Sequence, residues 1–224
     1  MNLDQVIENH VQAIGGRLAV ERLNILRVDF HLIEPSYEAD GVYMAERAGR
    51  MRVDMFIGGA RVFSEGHDGS QGWQQPQDAS HGSPASAAGS RALLHGIENQ
   101  VFGLHELGRR GHYLELAGKE FADDVEYFVV KLVYRDGHTL HRYMNTGNWL
   151  IERSRERKAL HPDVDPAETT VETLFTDFHQ AGGGLLRPFR ETQTDLSTGR
   201  LLQTTIIKEL LINPVLDPAL FGCP

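Results

Sequence analysis

The sequence predicts a mainly β protein of the α+β class, built on one antiparallel sheet of about eleven strands with helices packed against it. Three observations carry this prediction. Apolar and polar residues alternate with period two in many short segments, glycine-containing turns separate neighbouring segments, and only two stretches show the spacing of a helix. Parallel strands need long crossover connections, so the short turns favour an antiparallel meander.

The N-terminal region, residues 1–24, is predicted to be helical. Its apolar stripe, at spacings of three and four, consists of Leu3, Val6, Ile7, Val11 and Ile14. Asn2 is a suitable N-cap, and Gly15-Gly16 provide the positive φ that ends a helix. A short continuation carries Leu18 and Leu23.

The period changes to two at Ile25, which indicates half-buried strands. The segments that alternate in this half of the chain are 25–35, 41–48, 49–57 and 61–65. A turn at His67-Asp68-Gly69 follows, and Trp73 closes the region. Residues 74–90 are rich in Gln, Pro, Ser, Ala and Gly with few apolar anchors, so we expect a flexible loop there.

A second helix is predicted over residues 91–108. One of its faces carries Leu94, Ile97, Val101, Leu104 and Leu107. An apolar face of this size needs cover, so the helix is expected to lie against the sheet as a lid.

Strands resume after the lid helix. The alternating segments are 113–117, 125–134, 139–145, 149–155, 171–180, 185–195 and 200–211. The chain shows no fixed-length repeat and no linker that divides it, so residues 1–224 are expected to form a single domain.

Composition excludes several classes of partner. The formal charge is −9, from 22 basic and 31 acidic residues, which argues against nucleic-acid binding. No apolar run is long enough for a transmembrane segment. The first eleven residues are amphipathic and acidic, unlike a signal peptide. The predicted location is therefore the periplasm if a signal peptide was removed, and otherwise the cytoplasm.

No motif favours catalysis, a cofactor or a metal. His138 and His141 are three residues apart, a spacing that puts strand side chains on opposite faces. His161 with Asp163 and Asp165 allows only a weak surface site, because zinc needs three or four convergent ligands. The serines lie in no nucleophile elbow, and the lone cysteine, Cys223, is near the C-terminus. We therefore expect a protein that is not an enzyme and holds no cofactor.

The order of motifs along the chain resembles a known family. An N-terminal helix ends in Ala13-Ile14-Gly15-Gly16, Asp68-Gly69 and Trp73 follow the first hairpins, and Gly182 to Phe189 enter a late strand. The chain closes on residues 212–221, INPVLDPALF, with Pro224 last. This order is similar to that of the bacterial outer-membrane lipoprotein-sorting and lipoprotein-carrier (LolA/LolB-like) superfamily, over nearly the whole chain.

The resemblance implies a strongly curved sheet, a half-open barrel whose concave side is covered by helices. It also implies non-catalytic binding or carriage of a lipid, an acyl chain or a lipoprotein in an apolar cavity between sheet and helices. The alternative is a protein-interaction or sensor domain of an envelope-stress pathway, with an envelope protein as partner. A third and less favoured hypothesis is an enzyme, whose sign would be a cluster of histidines and carboxylates in a pocket. The charged and aromatic residues that serve cargo transfer in the dedicated carrier have no match here, so lipoprotein trafficking itself is not carried over.

Apolar residues on the alternating strand faces and on the lid helix are the candidate cavity lining. They are Val28, Phe30, Met51, Val53, Met55, Leu94, Ile97, Val101, Phe128, Val130 and Leu132. The structural alternative is that these side chains pack against each other as a dry core, because alternation shows which residues share a face but not which face is concave. Trp73 and Trp149 are expected to anchor the sheet rather than to form a cavity rim.

Overall fold

The computed structural model describes residues 1–224 and contains four α-helices and thirteen strands. The helices are α1 (Leu3–Ala13), α2 (Arg17–Glu21), α3 (Ala87–Val101) and α4 (Leu104–Leu107). The first six strands are β1 (Ile25–Glu34), β2 (Tyr37–Glu46), β3 (Arg50–Ile57), β4 (Ala60–Asp68), β5 (Gly72–Pro76) and β6 (Ser83–Pro84). The other seven are β7 (Tyr113–Ala122), β8 (Val125–Val133), β9 (Thr139–Asn145), β10 (Ile151–Lys158), β11 (Thr169–Gln180), β12 (Leu186–Asp195) and β13 (Leu201–Ile212).

All thirteen strands form one antiparallel sheet with β6 and β7 at its two edges. The first six strands run in chain order from the centre to one edge, and the last seven run from the other edge back to the centre. There β1 pairs with β13, with Leu26 opposite Ile212. The sheet is curved and does not close, so it is the half-open barrel that the resemblance predicted, and the predicted fold class is confirmed.

The arrangement of the strands in two halves, β1–β6 and β7–β13, explains why helices cover one face of the sheet. The chain leaves the sheet at the β6 edge and re-enters it at the β7 edge, so residues 85–112 have to cross the whole sheet. Helix α3 crosses over β1 to β5, and α4 then packs against α1. None of the four helices is both long and apolar enough to cross a membrane.

The local signals at α1 are confirmed. The Asn2 side chain accepts a hydrogen bond from Gln5 N, and the Gln5 side chain accepts one from Asn2 N, which forms a capping box. Gly15 and Gly16 have φ of 121° and 86°, values that a residue with a Cβ rarely adopts. The carbonyl of Ile14 accepts a hydrogen bond from Leu186 N, so the end of α1 is fixed to the start of β12.

Two separate apolar cores lie between helices and sheet. The first joins α1 and α4 to β8 and β9, and its most buried members are Val6, Val11, Leu107, Val130, Leu132, Leu140 and Met144. The second joins α2 and α3 to β1–β3, and its members are Val20, Leu23, Leu26, Val28, Ala45, Met51, Leu93, Ile97, Val101 and Leu185. The cores occupy the two halves of the sheet and leave β10 to β12 between them.

The structure differs from the sequence prediction around the crossover. Residues 74–90, expected as a flexible loop, contain the end of β5, the two-residue β6 and the start of α3. The sheet therefore has two more strands than expected. Helix α3 begins after Ser86, whose hydroxyl accepts a hydrogen bond from Gly89 N, and the small residues that follow suit a helix.

The lid helix expected over 91–108 is two helices. Phe102 has extended backbone angles, with φ −118° and ψ 141°, which end α3. The carboxylate of Glu106 accepts a hydrogen bond from Gly103 N and starts α4 as a new helix. The apolar stripe of α3 is Leu93, Ile97 and Val101, whereas Leu94, predicted on that stripe, is 36% exposed. A spacing of four from Leu93 aligns these three side chains on the sheet-facing side.

Candidate functional site

A cavity of about 350 Å³ lies between the two apolar cores, over strands β9 to β12. Its wall on the helix side comes from the end of α1, from α3 and from α4, with Gly96 and Phe102 among the residues. Nine of its 23 lining residues are hydrophobic. A second depression of about 720 Å³, along α1 and α4, is a more open groove, so the first, less open cavity is the better candidate for a ligand site.

The cavity exists because the helices do not cover this part of the sheet. The side chains of the strands here do not fill the space either. The inward positions of β10 to β12 include Ser154, Glu156, Thr173, Glu191 and Gln193, all of which are polar. Polar side chains need hydrogen-bond partners and do not pack into a dry core. The apolar part of the lining is Ile14, Phe102, Leu104, Leu107, Leu140, Ile151, Phe175, Phe178 and Leu186.

Two arginines contribute positive charge to the lining. Arg187 on β12 donates from Nη2 to the carbonyl and to the side-chain oxygen of Gln100, at 2.6 and 3.0 Å. Arg142 on β9 donates from Nη2 to Asn99 Oδ1 at 2.8 Å. Both contacts tie the sheet to the last turn of α3. Burial lowers the pKa of Arg187.

The carboxylates of the cavity fall into two kinds. Glu156 accepts hydrogen bonds from His138 and Lys158, each at 2.8 Å. Burial alone would raise the pKa of Glu156, but these two contacts outweigh it and lower the pKa to about 2. Glu191 makes no hydrogen bond or ion pair, and burial raises its pKa.

Several buried polar atoms near the cavity lack partners. Gln193 Oε1 and Arg142 Nε, both from lining residues, have none, and neither has the hydroxyl of Tyr43 on β2. An unsatisfied buried polar group costs on the order of 1–3 kcal/mol. The arrangement therefore favours occupation by a molecule that carries hydrogen-bonding groups, or by water.

His10 of α1 also borders the cavity. Its Nδ1 donates to the carbonyl of Trp149 at 2.8 Å, and the residue is 7% exposed. Burial lowers the pKa of His10 to about 4, and the positive charges of Arg142 and Arg187 act in the same direction. At neutral pH the imidazole is uncharged, so it leaves the two arginines as the positive groups on this side.

The eleven lining residues predicted from the sequence lie outside this cavity. Val28, Met51, Ile97 and Val101 belong to the core under α3, with Phe30 and Val53 packed against it, and Phe128, Val130 and Leu132 belong to the core under α1 and α4. Met55 is half-buried on β3, and Leu94 is exposed. The strand residues that belong to these two cores do point toward the helices. A binding role for these eleven residues stays a prediction.

Sequence reasoning missed the polar residues that line the cavity. Arg187 and Glu191 lie in a strand where charged residues occur on both faces, so alternation assigns neither face to the interior. Arg142 is a charged residue among apolar neighbours on β9, and its charge favoured a solvated position. The signal that was available is the Gly182 to Phe189 segment, which the family resemblance singled out and which carries Arg187 into the cavity.

Several of the histidines make local contacts. His95 stacks on Tyr134 and His138, with ring centroids 4.1 and 4.8 Å apart. It also contacts Asp136 at 3.0 Å. The structure contains no group of three or more His, Cys, Asp or Glu side chains placed to hold a metal ion.

Three solved bacterial structures illustrate the similarity of fold. A LolA superfamily protein from Nitrosomonas europaea has a TM-score of 0.65 at 13% identity, over 99% of this chain and 98% of its own. A domain of the outer membrane lipoprotein-sorting type from Vibrio parahaemolyticus has a TM-score of 0.67 at 10% identity, over 97% and 95%. A DUF1329 family protein from Desulfovibrio piger has a TM-score of 0.57 at 9% identity, over 99% and 97%.

Comparisons with protein-family models and with curated protein sequences give no match. The structural likeness spans nearly the full length of all three proteins, at identities that carry the fold alone. The resemblance inferred from the order of sequence motifs is therefore confirmed: this chain has the fold of the LolA superfamily and of the lipoprotein-sorting domain.

Proposed function

We propose that this protein binds and carries a ligand with an acyl chain in the cavity between sheet and helices, without catalysis. The observation that carries the proposal is the partly open cavity of about 350 Å³ that lies between two apolar cores on the concave face. Ligand sites in proteins are clefts of roughly 300–1,000 Å³, mostly apolar with a few placed polar groups. The cavity is at the small end of that range and has both kinds of lining.

Burial of the chain supplies the binding free energy. Each methylene taken out of water contributes about 0.8 kcal/mol. Loss of the ligand's translational and rotational freedom costs an estimated 4–15 kcal/mol in associating molecules. A chain of about ten methylenes therefore binds only when most of its length is covered. The apolar wall of Leu104, Leu107, Leu140 and Ile151, next to the core under α1, provides such cover.

The proposal extends to partner and location. The carried molecule is a lipid or the acyl group of an acylated protein, and the site of action is the periplasm. The shared fold of the outer membrane lipoprotein-sorting domain supports both points. The alternative, a protein-interaction domain of an envelope-stress pathway, stays a prediction. That alternative requires an exposed surface that binds a partner protein, and it requires no open cavity.

A cavity-filling variant tests the proposal. Gly96 borders the cavity, and a Cβ added there meets no atom within 4 Å. Gly96→Leu should therefore place its side chain in the cavity without disturbing α3. Gly96→Ala is the matched control, because both changes favour the helix by roughly 0.5–1 kcal/mol and only leucine takes up much space.

We expect gently purified protein to release a bound lipid on organic extraction, identified by mass spectrometry. The purified protein and Gly96→Ala should take up a fluorescent fatty acid, whereas Gly96→Leu should lose at least tenfold in affinity. Absence of lipid together with no uptake by the unmodified protein would refute the proposal. If the leucine and alanine variants take up the fatty acid equally, the ligand binds at another site.

A further inference from the structure

Two guanidinium groups face the cavity without a carboxylate partner. Arg142 and Arg187 are half-buried lining residues that form no ion pair within 4 Å, and the Glu191 carboxyl acts on Arg187 only from beyond that distance. Arg153 on the opposite face of the sheet shows the usual arrangement, because its guanidinium is held by Asp123 and Glu172 at 2.5 and 2.8 Å. A buried charge normally has such a partner, since desolvation is costly.

Each of the two groups keeps donors free. Arg187 uses only Nη2, for the two oxygens of Gln100, so its Nε and Nη1 groups donate to nothing. Arg142 uses Nη2 for Asn99, and its buried Nε has no partner. The fork of a guanidinium matches the paired oxygens of a carboxylate or phosphate, which accept two parallel hydrogen bonds.

Two further polar groups lie near the guanidinium of Arg187. The hydroxyl of Tyr43 is buried and unbonded, and it lies within electrostatic range of Arg187 and Glu191. The carboxyl of Glu191 makes no hydrogen bond; burial raises its pKa, whereas the positive charges of Arg187 and Arg142 act in the opposite direction. An oxyanion placed beside Arg187 and Arg142 accepts hydrogen bonds from their free N–H groups.

We propose that Arg187, assisted by Arg142, binds the anionic headgroup of the carried molecule, a carboxylate or phosphate at the end of an acyl chain. This inference rests on the proposed function and names the class of its ligand. The apolar wall described above takes the chain, and the guanidinium groups take the oxygens at its end. A neutral lipid leaves both arginines unpaired and binds more weakly.

The test compares decanoate with its uncharged analogue 1-decanol by isothermal titration calorimetry at pH 7.5, with inorganic phosphate as a third titrant. We expect decanoate to bind at least tenfold more tightly than decanol and phosphate alone to bind at least tenfold more weakly than decanoate. Arg187→Gln should lose on the order of ten- to a hundredfold in affinity for decanoate and little for decanol. Arg187→Lys, which keeps the charge, should retain a preference for decanoate.

Arg190→Gln is the matched control. It removes an exposed arginine from the same strand and outside the cavity, so neither affinity should change. The ratio of the affinities for decanoate and decanol separates headgroup binding from loosening of α3. Loosening of α3 would weaken the binding of both molecules alike. If Arg187→Gln does not fold, Arg142→Gln provides the same comparison.

Three outcomes would overturn the inference. Equal affinities for decanoate and decanol would show that the headgroup site does not exist. The same conclusion would follow if the ratio of these two affinities were unchanged in Arg187→Gln. Neither result would contradict the carriage of an acyl chain. Phosphate that binds as tightly as decanoate would identify a free anion as the ligand. If neither decanoate nor decanol binds, the proposed function and the inference are both refuted.

Discussion

The indole Nε1 of Trp73 donates a hydrogen bond to the backbone carbonyl of Phe221 at 3.1 Å. The two residues are 148 positions apart and almost fully buried, at 2% and 1% exposure. Arg50 lies over the Phe221 ring and Arg52 over the Trp73 ring, at 5.2 and 5.5 Å from the ring centroids. The C-terminal tail is thereby fixed to β3–β5. Trp73 and Phe221 each belong to a motif that carried the family resemblance, and these two motifs contact each other in the structure.

Phe221→Ala should lower the free energy of unfolding by about 3–5 kcal/mol, because it removes a buried aromatic side chain and leaves a cavity next to Trp73. The adjacent Leu220→Ala is the control, with a loss of about 0.5 kcal/mol, since its side chain is 37% exposed. Urea denaturation measures both. Equal losses would show that the tail does not contribute through Phe221.

Much of this architecture follows from local rules. The cap at Asn2, the end of α1 at Gly15 and the alternation at the start of β1 are local properties, and the structure has all of them. The order of strands is not local. Alternation shows which side chains share a face, but the pairing of β1 with β13 joins the two ends of the chain. Strands β5 and β6 are short and contain Gly and Pro, so they carry no period to recognise.

Asn213 fixes the exit of the last strand. Its Oδ1 accepts hydrogen bonds from the backbone N–H groups of Asn24 and Ile25, at 2.8 and 3.0 Å, and its Nδ2 donates to Arg22 O at 2.8 Å. The residue has φ 54°, a left-handed conformation that costs an alanine about 1 kcal/mol or more.

Asn213→Ala should therefore destabilise the protein by about 2 kcal/mol, from lost hydrogen bonds and backbone strain. Asn213→Gly should cost only about 1 kcal/mol, because glycine adopts the same φ without strain. Thermal or urea unfolding of the pair measures the difference. A glycine variant less stable than the alanine variant would contradict the assignment of strain to this position.

Gly15 lies at the point where α1 meets the start of β12. A Cβ built on it falls 2.3 Å from Gly184 O, and its φ is 121°. Gly15→Ala should cost more than about 3 kcal/mol, because neither backbone segment can move without breaking the Ile14–Leu186 hydrogen bond.

Gly49→Ala is the matched control, since Gly49 also has a positive φ, of 86°, but its Cβ meets no atom within 4 Å. Its cost should be about 1–2 kcal/mol, the strain alone. Circular dichroism during urea unfolding gives both values. If the two variants are equally stable, the close approach of Gly15 to Gly184 does not constrain the fold.

The cavity itself was less predictable than the sheet. Phe128, Val130 and Leu132 do face the helices, as their alternation and apolar character indicated. Where the helices fail to cover the sheet depends on the path of the crossover, which no local pattern encodes. Arg187 and Glu191 resemble solvated strand residues in the sequence, and only the packing of α3 above them makes them part of the cavity lining.

His10 should make stability depend on pH. Its pKa is about 4 in the folded protein, because burial penalises the charged imidazole, against about 6.5 in the unfolded chain. Between these values the unfolded state binds more protons, so stability is highest above pH 6.5 and falls as the pH is lowered toward 4. The loss from this residue should reach about 2 kcal/mol at pH 5.

His10→Asn removes the titration and keeps an N–H donor for the Trp149 carbonyl. We expect its free energy of unfolding, measured in urea at pH 5 and at pH 8, to differ by about 2 kcal/mol less than that of the unmodified protein. His81→Asn, at an exposed histidine that makes no hydrogen bond or ion pair, should leave the pH dependence unchanged. If His10→Asn retains the full fall in stability between pH 8 and pH 5, other groups cause it. Because His10 borders the cavity, loss of the fall in this variant alone would link the acid sensitivity of the fold to the wall of the proposed binding site.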